Sequence, residues 1–286
     1  ELGEKYSRRL VSSEYLIMDY CISPVPAEVE LLRNMRHEEL RLVEKAFNKI
    51  IPGKTKIENL GNTGDYEVDI TAFRRMYKGE SQRGRSVGWK DAIVQGGDII
   101  AAPSQGKFAY VLKNNEQNAP REIQRLWKEY LKIEKILAET IKAGLTAREI
   151  IEDYTKKLAE VDVIVVDPQL HMVQPKNDFP AFAKAYEPNK TLISIDCHGK
   201  GKGSRKWKHD IYLGPRIGSY GPEWTYDVTL AENHHFVLEY FFYMPSQTNN
   251  KSEDQYLLFW NHEQAVATKE GVSYLSPPQK EIYLIK

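Results

Sequence analysis

Cysteine is nearly absent from this chain: of 286 residues only Cys21 and Cys197 carry a thiol. That is too few for a disulfide framework, and no C-x-x-C pair suggests structural zinc, so one incidental bridge is the most that disulfide chemistry adds. An excess of charge of either sign is also missing, because 40 Lys and Arg balance 40 Asp and Glu. The balance argues against nucleic acid or an anionic membrane as a partner, leaving room only for a local basic patch. No apolar run approaches the roughly 18 residues that a membrane span needs, and the charged start Glu1-Leu2-Gly3-Glu4-Lys5 is no signal peptide. A soluble protein is expected, with the cytoplasm as the favoured compartment. Nucleotide-binding signatures are lacking too: Gly199-Lys200-Gly201-Lys202-Gly203 looks like a phosphate loop, but it has neither the spacing to Lys-Ser/Thr nor a following helix start.

What is present is a globular composition, 41% hydrophobic and 28% charged, in a chain long enough to bury a substantial core. Apolar residues at Leu31, Leu32, Met35, Leu40, Val43, Phe47 and Ile50 predict a helix over 28–50 that Pro52-Gly53 ends. Residues 53–97 read as loops. Two short strands follow, 98–102 and 107–112, separated by Pro103-Ser104-Gln105-Gly106. Ile123, Leu126, Trp127, Tyr130, Leu131, Leu137, Ala138 and Ile141 then predict a helix that Gly144 caps. Thr146 with Glu149 is a capping box for a partner helix, so 121–160 forms a helix pair. Beyond it the period shortens, predicting strands at 161–166, 192–195, 235–244, 256–260, 265–268 and 282–285. Helices segregated from a largely antiparallel sheet predict an α+β fold.

One residue in this pattern asks for a partner. Glu239 stands inside His235-Phe236-Val237-Leu238-Glu239-Tyr240-Phe241-Phe242-Tyr243-Met244, where an ionised carboxylate is expensive unless a cation, a metal or several donors meet it. Counting by twos puts it on one face with Val237, Phe241 and Tyr243. A second carboxylate, Glu263, stands at the edge of another apolar strand, and two carboxylates on adjacent strands could bridge a divalent cation. The plainer alternatives are a buried ion pair for Glu239, with Lys200 or Arg216, and a solvated strand-start residue near a turn for Glu263. His198 follows an apolar strand and opens a glycine-rich turn; a ligand role and local carbonyl bonding are both open for it. His171, His209 and His262 are weak signals alone, and the adjacent His234 and His235 point to opposite faces.

In this order the pieces resemble the creatinase, prolidase and methionine aminopeptidase superfamily, the pita-bread metallopeptidases. The resemblance covers most of the chain. It rests on Leu230-Ala231-Glu232-Asn233-His234-His235-Phe236-Val237-Leu238-Glu239, on Glu263 followed by a strand and by Thr268, Gly271 and Leu275, on Gln95-Gly96-Gly97-Asp98-Ile99-Ile100, and on the ending Glu281-Ile282-Tyr283-Leu284-Ile285. It implies a single pita-bread domain, a curved and mainly antiparallel sheet with helices packed on one face. Residues 1–50 would be the approach and first helix and 51–286 the remainder, without the separate N-terminal domain of prolidases. It also implies a hydrolase of amino-terminal peptide bonds, often next to proline, that uses divalent metal (Mn, Co or Zn) held by two aspartates, a histidine and two glutamates. Carried over residue by residue, Glu239 and Glu263 match the glutamates. The histidine is either His198 or, one register on, a position occupied by Lys200. The aspartates have no match, since Pro103-Ser104-Gln105-Gly106 fills the turn where the first belongs. The ligand set is therefore incomplete. Two further readings follow: an inactive pita-bread module that binds a peptide or protein, and a metal-free creatinase-type C–N hydrolase with His198 as acid and base in the cleft of a homodimer.

Overall fold

Residues 16, 19, 20, 23–60, 70–73, 76–77, 93–166, 190–200, 215–218, 223–245 and 255–286 are described by the structure, a computed structural model. The long helix α1 (Pro26–Asn48) starts where Pro26 supplies a ready-made helical φ and the Glu28 carboxylate accepts the Val25 N–H at 2.8 Å. The stripe it buries differs from the one periodicity picks out. Val29, Arg36, Glu39, Val43, Ala46 and Phe47 face inward, while Leu31 is 61% exposed. The inward stripe accepts two charged residues because they satisfy each other, Arg36 donating to Glu39 at 2.5 Å.

The expected helix pair is present as α2 (Arg121–Thr140) and α3 (Ala147–Ala159). Helix α2 buries Ile123, Leu126, Trp127, Tyr130, Ile133 and Leu137. Gly144 takes φ +91°, open to glycine at little cost, and lets the chain turn between the helices. The capping box closes reciprocally: the Thr146 hydroxyl accepts the Glu149 N–H at 3.2 Å, and the Glu149 carboxylate accepts the Thr146 N–H at 2.8 Å.

Eleven strands lie among the described residues: β1 (Thr71–Phe73), β2 (Met76–Tyr77), β3 (Ile99–Ala102), β4 (Lys107–Val111), β5 (Val163–Val166), β6 (Thr191–Gly199), β7 (Ile217–Gly218), β8 (His235–Pro245), β9 (Gln255–Ala267), β10 (Val272–Tyr274) and β11 (Tyr283–Ile285). They form a four-stranded sheet, β1-β3-β4-β11, and a seven-stranded one with the path β10-β9-β8-β6-β5. Every pairing is antiparallel except β5 with β6 and β11 with β4. The α+β expectation is met.

Strand β9 corrects the sequence reading. The two short strands expected there are one strand of 13 residues, and the supposed turn around Glu263 lies inside it. Polar residues continue the strand because each has a partner: Asn261 donates to the Leu238 carbonyl at 3.1 Å, Glu263 accepts from Ser276, and Gln264 meets His235 at 3.1 Å. One core packs α2 and α3 onto Phe236, Leu238, Tyr240 and Phe242 of β8 and Leu257 and Phe259 of β9. That leaves the other face of β8 and β9 for the site. A second core sets Val43, Ala46 and Phe47 of α1 against Ile100, Ala102, Ala109 and Val111.

Candidate metal centre

Register along the long hairpin decides which side chains meet. Glu239 lies opposite His262 and Leu238 opposite Glu263. Residues directly opposite in an antiparallel pair share a face, so Glu239 and His262 look one way and Glu263 the other. On the far side of β8, His198 of β6 pairs with Val237 and so joins Glu239's face. His198, Glu239 and His262 thereby converge: one ligand atom from each lies within 4.8 Å of the other two. The Glu239 Oε2 is 3.5 Å from His198 Nε2 and 3.9 Å from His262 Nε2.

The electrostatics suit a cation. Burial raises the Glu239 carboxyl and the His198 ring beside it lowers it, and the balance leaves the group below its ordinary value, hence ionised at neutral pH. Burial drives His262 down to about 4, which keeps its imidazole neutral. The His198 Nδ1 lies 3.2 Å from the Gly199 carbonyl. A carbonyl only accepts, so Nδ1 carries a proton, and Nε2 faces Glu239, where it would present its lone pair to a bound cation. Two imidazoles and one carboxylate are a donor set of mononuclear catalytic zinc. These residues fit such an ion, and the half-buried rings of His198 and His262 leave the site open on one side.

Around the triad the same face carries an aromatic ledge. Phe241 and Trp260 stack at 5.5 Å and 5°, with Trp260 edge-on to His262 at 6.2 Å. Asp196 lies on this face two residues before His198, with Arg216 donating to it at 2.6 and 2.5 Å. Arg216, one of the cations considered for Glu239, therefore serves Asp196.

Glu263, expected as the second glutamate ligand, is placed apart from the triad. It is not brought to Glu239, because one step along a strand reverses the face. It sits beneath the helices, 2% exposed, accepting from the Ser276 hydroxyl at 2.6 Å. Burial pushes its carboxyl up to about 8. Gly106 abuts it so closely that a Cβ there would stand 2.2 Å from Oε2. The turn before Gly106 is a short 3-10 helix, Pro103–Gln105, and brings no carboxylate. Gln105 donates to Glu39 at 3.1 Å, and the Lys107 ammonium caps the carbonyls of Gln105 and Pro277 at 3.0 and 2.9 Å.

His262 is the site residue that sequence reasoning passed over. Its signal was its two-residue spacing from Trp260 and Gln264, which needed the pairing with β8 to become informative. His234 and His235 diverge as expected, and His235 meets Gln264. His171, His209, Cys21 and most of the glycine-lysine run after Lys200 lie outside the described residues. Cys197 is buried, its thiol 3.8 Å from the Glu239 carbonyl and pushed up by burial. No described helix is long and apolar enough to cross a membrane.

No protein-family model matches the chain, and no curated protein does. Solved structures do. X-Pro aminopeptidase from Thermotoga maritima superposes with a TM-score of 0.55 at 14% identity, over 95% of this chain and 67% of that one. For the prolidase from Pyrococcus horikoshii the values are 0.52, 17%, 94% and 67%. For dipeptidase PepE from Mycobacterium ulcerans they are 0.53, 12%, 96% and 64%. This chain thus spans about two thirds of the length of these proteins. At such identities the likeness establishes the fold alone, and the fold is pita-bread.

Proposed function

We propose that this chain is a peptidase-type hydrolase of amino-terminal peptide bonds, Xaa-Pro bonds first among them, working with one divalent ion in place of two. The observation that carries the reading is the convergence of His198, Glu239 and His262 on the open face of the pita-bread sheet. Zinc suits the two imidazoles best; manganese or cobalt are the other ions to try. When bound, the ion supplies Lewis-acid polarisation of the scissile carbonyl and of water.

The chain's own groups do the rest. Glu239 contributes the one negative charge of the ligand set. His262, already neutral at pH 7, presents a lone pair without first losing a proton. The bond between His198 Nδ1 and the Gly199 carbonyl holds the tautomer that points Nε2 inward. The stacked Phe241 and Trp260 offer a flat apolar surface beside the ligand atoms, against which a proline ring or another apolar side chain can lie while water is excluded.

A second reading, a module that binds peptides without cleaving them, draws on a separate observation. The turn at 103–106 brings no acid to the site: its Gln105 is bonded to Glu39, and Lys107 holds its carbonyls. One experiment separates the two. Protein loaded with zinc, manganese or cobalt is assayed for bound metal and for hydrolysis of an Xaa-Pro dipeptide. Stoichiometric metal with turnover, both lost in His262→Ala, supports the hydrolase. Peptide binding without turnover in any metal-loaded form supports the module.

A further inference from the structure

On the opposite face of the seven-stranded sheet, away from the triad, α3 stands off β5, β6 and β7 and leaves a cavity of about 420 Å³. That volume lies within the range of small-molecule sites. Its walls are apolar: Ile151 from the helix, Val165 and Val166 from β5, and Ile195 from β6. Ile195 faces this side because it alternates with Asp196, which faces the other.

One polar group in the lining has no work inside the fold. Tyr154 is 2% exposed, and its hydroxyl makes no hydrogen bond among the described residues. It is not sealed in, as the unpartnered Tyr130 hydroxyl is. A hydroxyl that opens onto the cavity can donate to a ligand atom there in place of water. Burial also raises its pKa, so the hydroxyl keeps its proton as a donor.

The rim sets the charge of what enters. Among the described residues, Glu152 and Glu223 line it with one cation, Arg148. That guanidinium is already committed: it donates to Glu223 and to Asp227, each at 2.9 Å, and lies 5.8 Å over the Tyr226 ring. Among the described residues carboxylates therefore outnumber the cation at the mouth, which favours a positive head group and disfavours an anion.

We propose that this cavity binds a small amphipathic amine. Its ammonium would stand at Glu152 and Glu223, its aliphatic body between Ile151 and the sheet, and an oxygen at its far end would accept from the Tyr154 hydroxyl. The site is separate from the triad and does not rest on the hydrolase reading.

Calorimetric titration of the full chain with aminohexanol tests it, with hexylamine and hydroxyhexanoate as controls. Aminohexanol should bind one to one with a Kd of roughly a millimolar, as suits a ligand of so few atoms. Hydroxyhexanoate should bind at least about tenfold more weakly. The double variant Glu152→Gln with Glu223→Gln should weaken aminohexanol by about fivefold. Tyr154→Phe should remove the preference for aminohexanol over hexylamine. Thr155→Trp, an exposed position on the lining, should block binding without unfolding the helix, which a circular dichroism melt verifies. Absence of aminohexanol binding, equal binding of hydroxyhexanoate, or undiminished binding to Thr155→Trp would each overturn the proposal.

Discussion

His234 is fully buried, and neither of its ring nitrogens has a partner among the described residues; it lies flat against Phe236, ring centroids 5.8 Å apart. Burial and the neighbouring His235 push its pKa down to about 3, so it is held neutral in the folded state. A neutral imidazole whose N–H is unpaired costs about 1–3 kcal/mol, whereas an apolar side chain there costs nothing of that kind. His234→Leu is thus expected to raise the thermal midpoint at pH 7 by a few degrees, read by calorimetry; a drop would mean that a water or shape match holds the ring. Glu239 and Glu263 make the sharper contrast. Zinc at about 100 times its Kd stabilises a folded site by roughly 2.7 kcal/mol, which in a chain of this size raises the midpoint by roughly 5 °C. That shift should vanish in Glu239→Gln and in His262→Ala but persist in Glu263→Gln, because Glu263 faces the helices. Loss of the shift in Glu263→Gln alone would restore it to the ligand set. The importance of Glu239 was readable from its apolar neighbours. The identity of its partner was not, since a strand's alternation gives two faces without saying which neighbouring strand's residue arrives on each.

At the scale of elements, local chemistry and long-range pairing part company. The α2–α3 pair was legible to within a residue or two, because a strong apolar stripe, a capping box and Gly144 are all local signals. Thr146→Ala tests that reading: it removes the acceptor for the Glu149 N–H and should destabilise the protein by about 1 kcal/mol, measured by urea denaturation, with α3 the first region to lose hydrogen-exchange protection. Helix α1 was legible in extent but not in orientation. Its apolar residues Leu31 and Leu32 outscored the charged Arg36 and Glu39 as candidate core, and only the mutual pairing of Arg36, Glu39 and Gln105 makes the charged stripe the buried one. Strand β9 was split in two because Asn261-His262-Glu263-Gln264 reads as a turn when no partners are in view. Its four polar residues belong to four different cross-strand or cross-layer contacts, which is tertiary information.

Taken whole, the molecule buries ionisable groups of opposite tendency, and they bound its stability from both sides. Glu134 of α2 is buried, accepting from the Tyr240 hydroxyl at 3.0 Å, and burial lifts its carboxyl from about 4.5 to about 7. Over that interval the folded state holds a proton that the unfolded chain releases, so unfolding is favoured progressively as pH rises from about 4.5 to about 7. His234 works in the other direction: folded near 3 against an ordinary 6.5, it leaves the unfolded chain binding the extra proton, and stability falls as pH drops below about 6.5. His235, held near 4 chiefly by burial, adds to this acid limb. The two variants Glu134→Gln and His234→Leu separate the limbs. In urea titrations across pH 4 to 8, Glu134→Gln should lessen the decline above about pH 4.5, leaving the part that Glu263 contributes, and spare the acid limb, while His234→Leu should lessen the acid limb, leaving the part of His235, each by on the order of a few kcal/mol over its interval. If Glu134→Gln instead shifts stability equally at every pH, its carboxyl is not the group that titrates, and its bond to Tyr240 is purely structural.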